Sequence, residues 1–179
     1  KTKEFEVEAT ETKPAWVCKN YINEFYDDEG WWALAWLDAW EYTGEQKYLD
    51  MANIIFKDIT TGWSDTGGLY WKKELEFKGS ISNGLALTLA TRLHLAGTKE
   101  VNGKTALRWA ISIWDWMIKS KLINSNGNMQ DGIRFKNGKE SITENVWTYN
   151  QGVVLTGLVN LNKITGEKHY IKSAHDLAK

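Results

Sequence analysis

Tyr42-Thr-Gly-Glu-Gln-Lys-Tyr-Leu49 returns late in the chain as Ile164-Thr-Gly-Glu-Lys-His-Tyr-Ile171, and Leu95-Ala-Gly-Thr-Lys-Glu100 is a looser copy. Each copy separates two helical patterns of different kinds. Before the first, Trp31 to Tyr42 is apolar on nearly every face except at Asp38 and Glu41, which is the pattern of a helix enclosed by others. Thr43-Gly44-Glu45 stops it, and Lys47 to Ile59 then sets Leu49, Ala52, Ile55 and Phe56 at the three- and four-residue spacings of an amphipathic helix. Ile81 to Ala96 is a second enclosed helix, and Thr105 to Ser120, with Trp109, Ile113, Trp116 and Met117, is its amphipathic partner. Gln151 to Asn162 and Tyr170 to Lys179 make a third pair. Neither face of such a pair is buried alone, so repeated pairs must stack. The prediction is an all-α fold, an α/α toroid or solenoid, in one domain over residues 1–179. Between the pairs, Thr60 to Gly79 reads as an irregular or hairpin segment and Asn124 to Glu144 as a polar loop. Lys1 to Thr12 reads as a short strand or ordered arm, and Pro14 as the entry to a helix ending near Phe25.

Composition narrows the partners. The chain has 179 residues, 42% of them hydrophobic, a formal charge of -1 and scattered basic residues. That is enough apolar content for one core, and it offers no electrostatic footprint for nucleic acid. Eleven tryptophans is several times ordinary usage, and such residues concentrate where an apolar face must also stack or hydrogen-bond. Cys18 is the sole cysteine, which excludes an internal disulfide framework and a thiolate metal cluster. His94, His169 and His175 lack ligand spacing, so no metal is predicted. Asn124 to Asp131 fails the acidic calcium-loop pattern. No membrane-spanning run is present, and Lys1 to Glu8 lacks the apolar stretch of a signal peptide.

In a toroid the enclosed helices run the same way, so their leading ends share one rim. There the sequence puts Asp27 and Asp28, then Ser82 and Asn83, then Tyr149, Asn150 and Gln151, which predicts a common cleft. Two neighbouring carboxylates can divide the work of splitting a glycosidic bond, one protonating the leaving oxygen while the other attacks or activates water. Trp31, Trp32 and Tyr149 could stack on sugar rings, and Asn83, Asn150 and Gln151 could bind hydroxyls. From the doublet alone, capping of the helix start is the simpler reading. Trp36, Trp40, Trp109, Trp114 and Trp116 are expected to be core.

Several blocks together resemble glycoside hydrolase family 76, the endo-α-1,6-mannanases: Tyr26-Asp-Asp-Glu-Gly-Trp-Trp-Ala-Leu-Ala-Trp36, Thr43-Gly-Glu, Ile54-Ile-Phe56, Gly62-Trp-Ser-Asp-Thr-Gly-Gly-Leu-Tyr-Trp71 and Trp147-Thr-Tyr-Asn-Gln-Gly152. The resemblance runs from about Tyr21 to the C-terminus and moves the reading of the doublet from capping to catalysis. It implies an (α/α)6 toroid, incomplete in a chain with three helix pairs. It implies retaining hydrolysis of α-1,6-linked mannan, no cofactor, and a secreted or cell-surface location. By the family pattern Asp27 is the expected nucleophile and Asp28 the expected general acid/base. Asp65, Tyr70, Trp71, Asn83, Tyr149, Asn150 and Gln151, with Trp31 and Trp32, are the expected sugar-binding set. Ser64 departs from the pattern, standing where the family often has the first Asp of a Trp-Asp-Asp run. A chain this short would leave apolar faces open, so self-association is also expected. The alternatives are a wall-directed mannosyl transglycosidase and a non-catalytic glycan-binding half-toroid.

Overall fold

The computed structural model describes residues 21–136 and 139–179. The expected strand or arm over Lys1 to Thr12, Cys18, and most of the helix expected from Pro14 lie outside the described residues. Among the described residues, six α-helices form three hairpins: α1 (Tyr26–Thr43) with α2 (Gln46–Ile59), α3 (Ser80–Leu95) with α4 (Ala106–Lys119), and α5 (Thr148–Thr165) with α6 (Lys168–Leu177). α1 packs on α3 and α3 on α5, each backed by its own partner. α3 is the middle of this row, and every residue from Ser80 to Thr91 is buried. A helix hemmed in by three others has no solvent stripe to mark, which explains its uniformly apolar sequence. The backing helices bury one face: Leu49, Ala52, Ile55, Phe56 and Ile59 on α2, and Trp109, Ala110, Ile113, Trp114, Trp116 and Met117 on α4. Trp36 and Trp40 are partly buried against the same core.

The repeated turns match bond for bond. At the end of α1, Thr43 Oγ1 donates to Ala39 O, Glu45 N donates to Thr43 Oγ1, and Gly44, at φ 71°, donates its N–H to Trp40 O. At the end of α5, Thr165 Oγ1 donates to Leu161 O, Glu167 N donates to Thr165 Oγ1, and Gly166, at φ 76°, donates to Asn162 O. Thr binds the last carbonyls, Gly takes the left-handed cap, and Glu opens the next helix. α3 and α5 approach closely through Gly84 and Gly157. A Cβ on Gly84 would lie 2.5 Å from Val153 Cγ2, and one on Gly157 2.6 Å from Leu87 Cγ.

Three expectations are corrected. α1 begins at Tyr26, so the acid pair lies inside its first turn, and Tyr21 to Phe25 is not α-helical. Phe25 is extended and bridged to Lys72, while Tyr26 N donates to Trp71 O at 3.0 Å. α5 likewise starts at Thr148, ahead of Gln151. The polar stretch Asn124 to Glu144 is not a plain loop: β4 (Gln130–Lys136) and β5 (Lys139–Val146) form an antiparallel pair that joins β1 (Phe77–Gly79) in the order β1-β4-β5. A minor pair, β2 (Glu100–Val101) and β3 (Lys104–Thr105), lies between α3 and α4. β5 is exposed along almost its whole length, so it shows no alternation to be read. No helix among the described residues is long and apolar enough to cross a membrane.

Candidate active site

The starts of α1, α3 and α5 converge on one cavity of about 590 Å³. The second residue of each helix, Asp27, Ile81 and Tyr149, lines it, joined by Trp31 one turn further along α1. The connection from α2 to α3 supplies Trp71, Lys72, Glu74, Glu76 and Phe77, and β4 supplies Asp131 and Arg134. Tyr149 stands near acids from two walls: burial first, then the charges of Asp131 and Asp27, push its phenol above the ordinary value.

The fourth residues of the same helices hold the loops. Asn83 Oδ1 accepts from Leu69 N at 2.9 Å, and its Nδ2 donates to Leu69 O and Gly79 O. Gln151 Oε1 accepts from Met129 N at 2.7 Å, and its Nε2 donates to Met129 O and Trp147 O. Each amide thus takes both backbone groups of one loop residue. Asn83 fixes the segment that carries Tyr70 and Trp71, and Gln151, with Ser80 Oγ donating to Gln130 O at 2.6 Å, fixes the entry to β4. These two side chains, expected on sugar hydroxyls, are committed to backbone and do not line the cavity.

Asp27 is half-buried, and its Oδ1 is buried without a hydrogen-bond partner. Burial raises its carboxyl above the ordinary value; the Trp71 side chain opposes the rise and the charge of Asp28 adds to it. A first-turn acid gains about 0.3–1 kcal/mol from the helix dipole, while a buried unsatisfied polar atom costs about 1–3 kcal/mol. Capping alone therefore does not account for Asp27, and the N-cap residue Phe25 makes no side-chain cap. Asp28 is exposed and lies outside the set of cavity-lining residues.

The remaining expected residues divide. Trp31, Trp71 and Tyr149 face the cavity. Trp32 is 48% exposed and rests on Tyr21, with ring centroids 4.9 Å apart. Asp65 is exposed on a turn that Ser64 closes by donating Oγ to Gly67 O at 2.7 Å. Tyr70 packs toward Phe135 at 6.1 Å with Lys78 Nζ over its ring. Asn150 is buried, with Nδ2 3.4 Å from Asp131 Oδ1 and its own Oδ1 unpartnered. Sequence reasoning missed Lys72, Glu74, Glu76, Phe77, Ile81, Asp131 and Arg134. Ile81 had a signal, since it occupies the helix position of Asp27 and Tyr149; Phe77, Asp131 and Arg134 reach the cavity on the paired strands β1 and β4, and Lys72, Glu74 and Glu76 on the irregular segment that leads into β1. Among the described residues no three His, Cys, Asp or Glu side chains are grouped to hold a metal ion.

The chain belongs to glycosyl hydrolase family 76, whose sequence profile it matches over residues 2–179. It is 30% identical over 157 residues to the mannan endo-1,6-α-mannosidase DCW1 of Saccharomyces cerevisiae, covering 78% of this chain and 34% of that one. It superposes with a TM-score of 0.81 and 30% identity on the α-1,6-mannanase of Salegentibacter sp. HEL1_6, over 88% of this chain and 47% of that one. That structure is an inactive variant with two consecutive aspartates changed to asparagine, in complex with α-1,6-mannotriose. A family 76 mannosidase from Bacteroides thetaiotaomicron matches with a TM-score of 0.76 and 30% identity, over 86% of this chain and 43% of that one. The chain spans about a third of the length of the curated relative and under half of the solved ones. Its three hairpins are those of the (α/α)6 toroid.

Proposed function

We propose that the cavity at the helix starts is a glycosidase site for α-1,6-linked mannan, and that Asp27 and Asp28 carry out hydrolysis with retention. The observation that carries this reading is the half-buried Asp27 carboxyl, with Oδ1 buried and without a hydrogen-bond partner, in an aromatic-walled cavity. It is supported by the inactive mannanase variant, altered at two consecutive aspartates, because this chain holds a single Asp-Asp pair. Asp27 is the nucleophile: a carboxylate partly stripped of water and steadied by Trp71 is ready to attack an anomeric carbon. Asp28 is the acid/base: its exposure lets it give a proton to the leaving oxygen and then take one from water. Trp31, Trp71 and Tyr149 offer stacking surfaces, and Asp131, Arg134 and Lys72 offer hydrogen bonds to hydroxyls. A polymeric mannan substrate places the protein at the cell surface or outside it.

The test is to incubate the purified protein with linear α-1,6-mannooligosaccharides and follow the first product by proton NMR. Early α-anomer is expected, and Asp27→Asn and Asp28→Asn should each lower kcat about 10²-fold or more with the circular dichroism spectrum unchanged. Turnover that survives either substitution refutes the assignment, and tight binding with no cleavage by the wild type refutes catalysis.

A further inference from the structure

Glu29 is the fourth residue of α1, the position that Asn83 holds in α3 and Gln151 in α5. Like them it is buried and binds a backbone group: its Oε1 accepts from Asn23 N at 2.9 Å, and its side chain is fully shielded. Unlike them it is an acid. Its second contact is Lys73 Nζ at 3.3 Å, and Lys73 also reaches Asp58 Oδ2 of α2 at 2.8 Å. Lys73 belongs to the strip that forms one wall of the cavity. Its N–H donates to Glu24 O, Phe25 bridges Lys72, and Trp71 O accepts from Tyr26 N.

We propose that Glu29 is a positioning residue for Asp27: with Asn23 N and Lys73 Nζ both on its Oε1, it ties the strip Trp71–Lys73 to the first turn of α1 and so sets Trp71 beside the Asp27 carboxyl. Being a carboxyl where the other two inner helices have amides, it makes this wall responsive to pH. The groups facing it are Lys73 from the strip, Asp58 from α2 and the Tyr26 ring from its own helix; Lys72 turns away to Glu74. Burial, opposed by the Asn23 N–H and reinforced by Asp58, pushes Glu29 up to about 7. Below that pH Glu29 is neutral and Lys73 keeps only Asp58; above it the full clamp is charged.

The inference builds on the assignment of Asp27 as a catalytic group, and its test reads the wall directly. In the full protein, the indole N–H resonance of Trp71 is followed from pH 5 to 9 by NMR. A step centred near 7 is expected in the wild type and in Asp27→Asn, and its loss in Glu29→Gln. Lys73→Met should displace the resonance at every pH and lower kcat on mannooligosaccharide about 10- to 100-fold. A step that persists in Glu29→Gln, or a Lys73→Met protein whose Trp71 resonance matches the wild type, overturns the inference. A wild type that shows the step and cleaves no mannan refutes the assigned activity while leaving Glu29 as the clamp of the wall.

Discussion

At the scale of the residue, the site is governed by how much water two neighbouring acids keep. Asp27 and Asp28 differ by one position and about 100° of helix, which is enough to turn one into the cavity and leave the other exposed. Because the folded state raises the Asp27 carboxyl and the nucleophile proposed for it must be ionised, the acid limb of kcat/KM should lie above the usual range of an aspartate. A pH–rate profile on mannooligosaccharide checks this; an acid limb at the ordinary aspartate value would show that Asp27 is not the limiting ionisation. Glu29 makes a separate prediction for stability. Its value rises from 4.5 to about 7 on folding, so its stabilising effect is complete below 4.5 and is lost as the pH climbs through 7. The loss is on the order of 3 kcal/mol. Urea titrations at pH 5 and pH 8 should show the wild type losing more stability between the two than Glu29→Gln; equal losses would mean that Glu29 is ionised in the folded protein at both.

At the scale of the element, the inner helices act as templates read by position. Their second residues face the cavity and their fourth residues hold the preceding or neighbouring loop, so three short stretches of α1, α3 and α5 assemble a site from distant parts of the chain. This depends on how closely the helices pack, and α3 against α5 leaves no room at Gly84 or Gly157. Gly84→Ala and Gly157→Ala should each cost about 1–3 kcal/mol, because the new methyl meets Val153 or Leu87 side chains in a filled core. Denaturation midpoints measure it, and an unchanged midpoint would show that the two helices can separate without penalty. The β4–β5 pair is the element least visible beforehand. Only Ile133 and Phe135 reach the core while β5 is exposed along almost its whole length, and the pair is placed by β1, Ser80 and Gln151.

At the scale of the whole molecule, the row of hairpins has one concave side. A groove of about 560 Å³ runs between α1, α3 and α5, lined by Trp31, Leu34, Ala35, Leu85 and Val153 among others, with Asp38 and Arg92 paired near its edge. In a closed toroid this side faces the remaining hairpins, and the chain spans under half of the solved structures it matches. A protein restricted to these residues should self-associate as its concentration rises, in order to cover that apolar side. Sedimentation velocity across a hundredfold range of concentration tests this; a constant monomer would mean that the groove tolerates water.

What the sequence determined by itself is what lies in local, repeated chemistry. The Thr-Gly-Glu turns, the alternation of enclosed and amphipathic helices and the acid pair at a helix start all act within a few residues, and so the hairpins, their stacking and the position of Asp27 were readable from spacing. The tertiary structure decided which side chains share a space. Asn83 and Gln151 have the chemistry of sugar ligands, yet neighbouring backbone takes their hydrogen bonds first; Asp131 and Arg134 have no local signal, yet strand pairing with β1 carries them to the cavity. Glu29 and Asp27 are both acids in one helical turn. Their different surroundings, a closed ion-pair cluster for one and an open cavity for the other, exist only once α2, the Trp71–Lys73 strip and α1 have come together, because solvation belongs to the assembled fold and not to the residue.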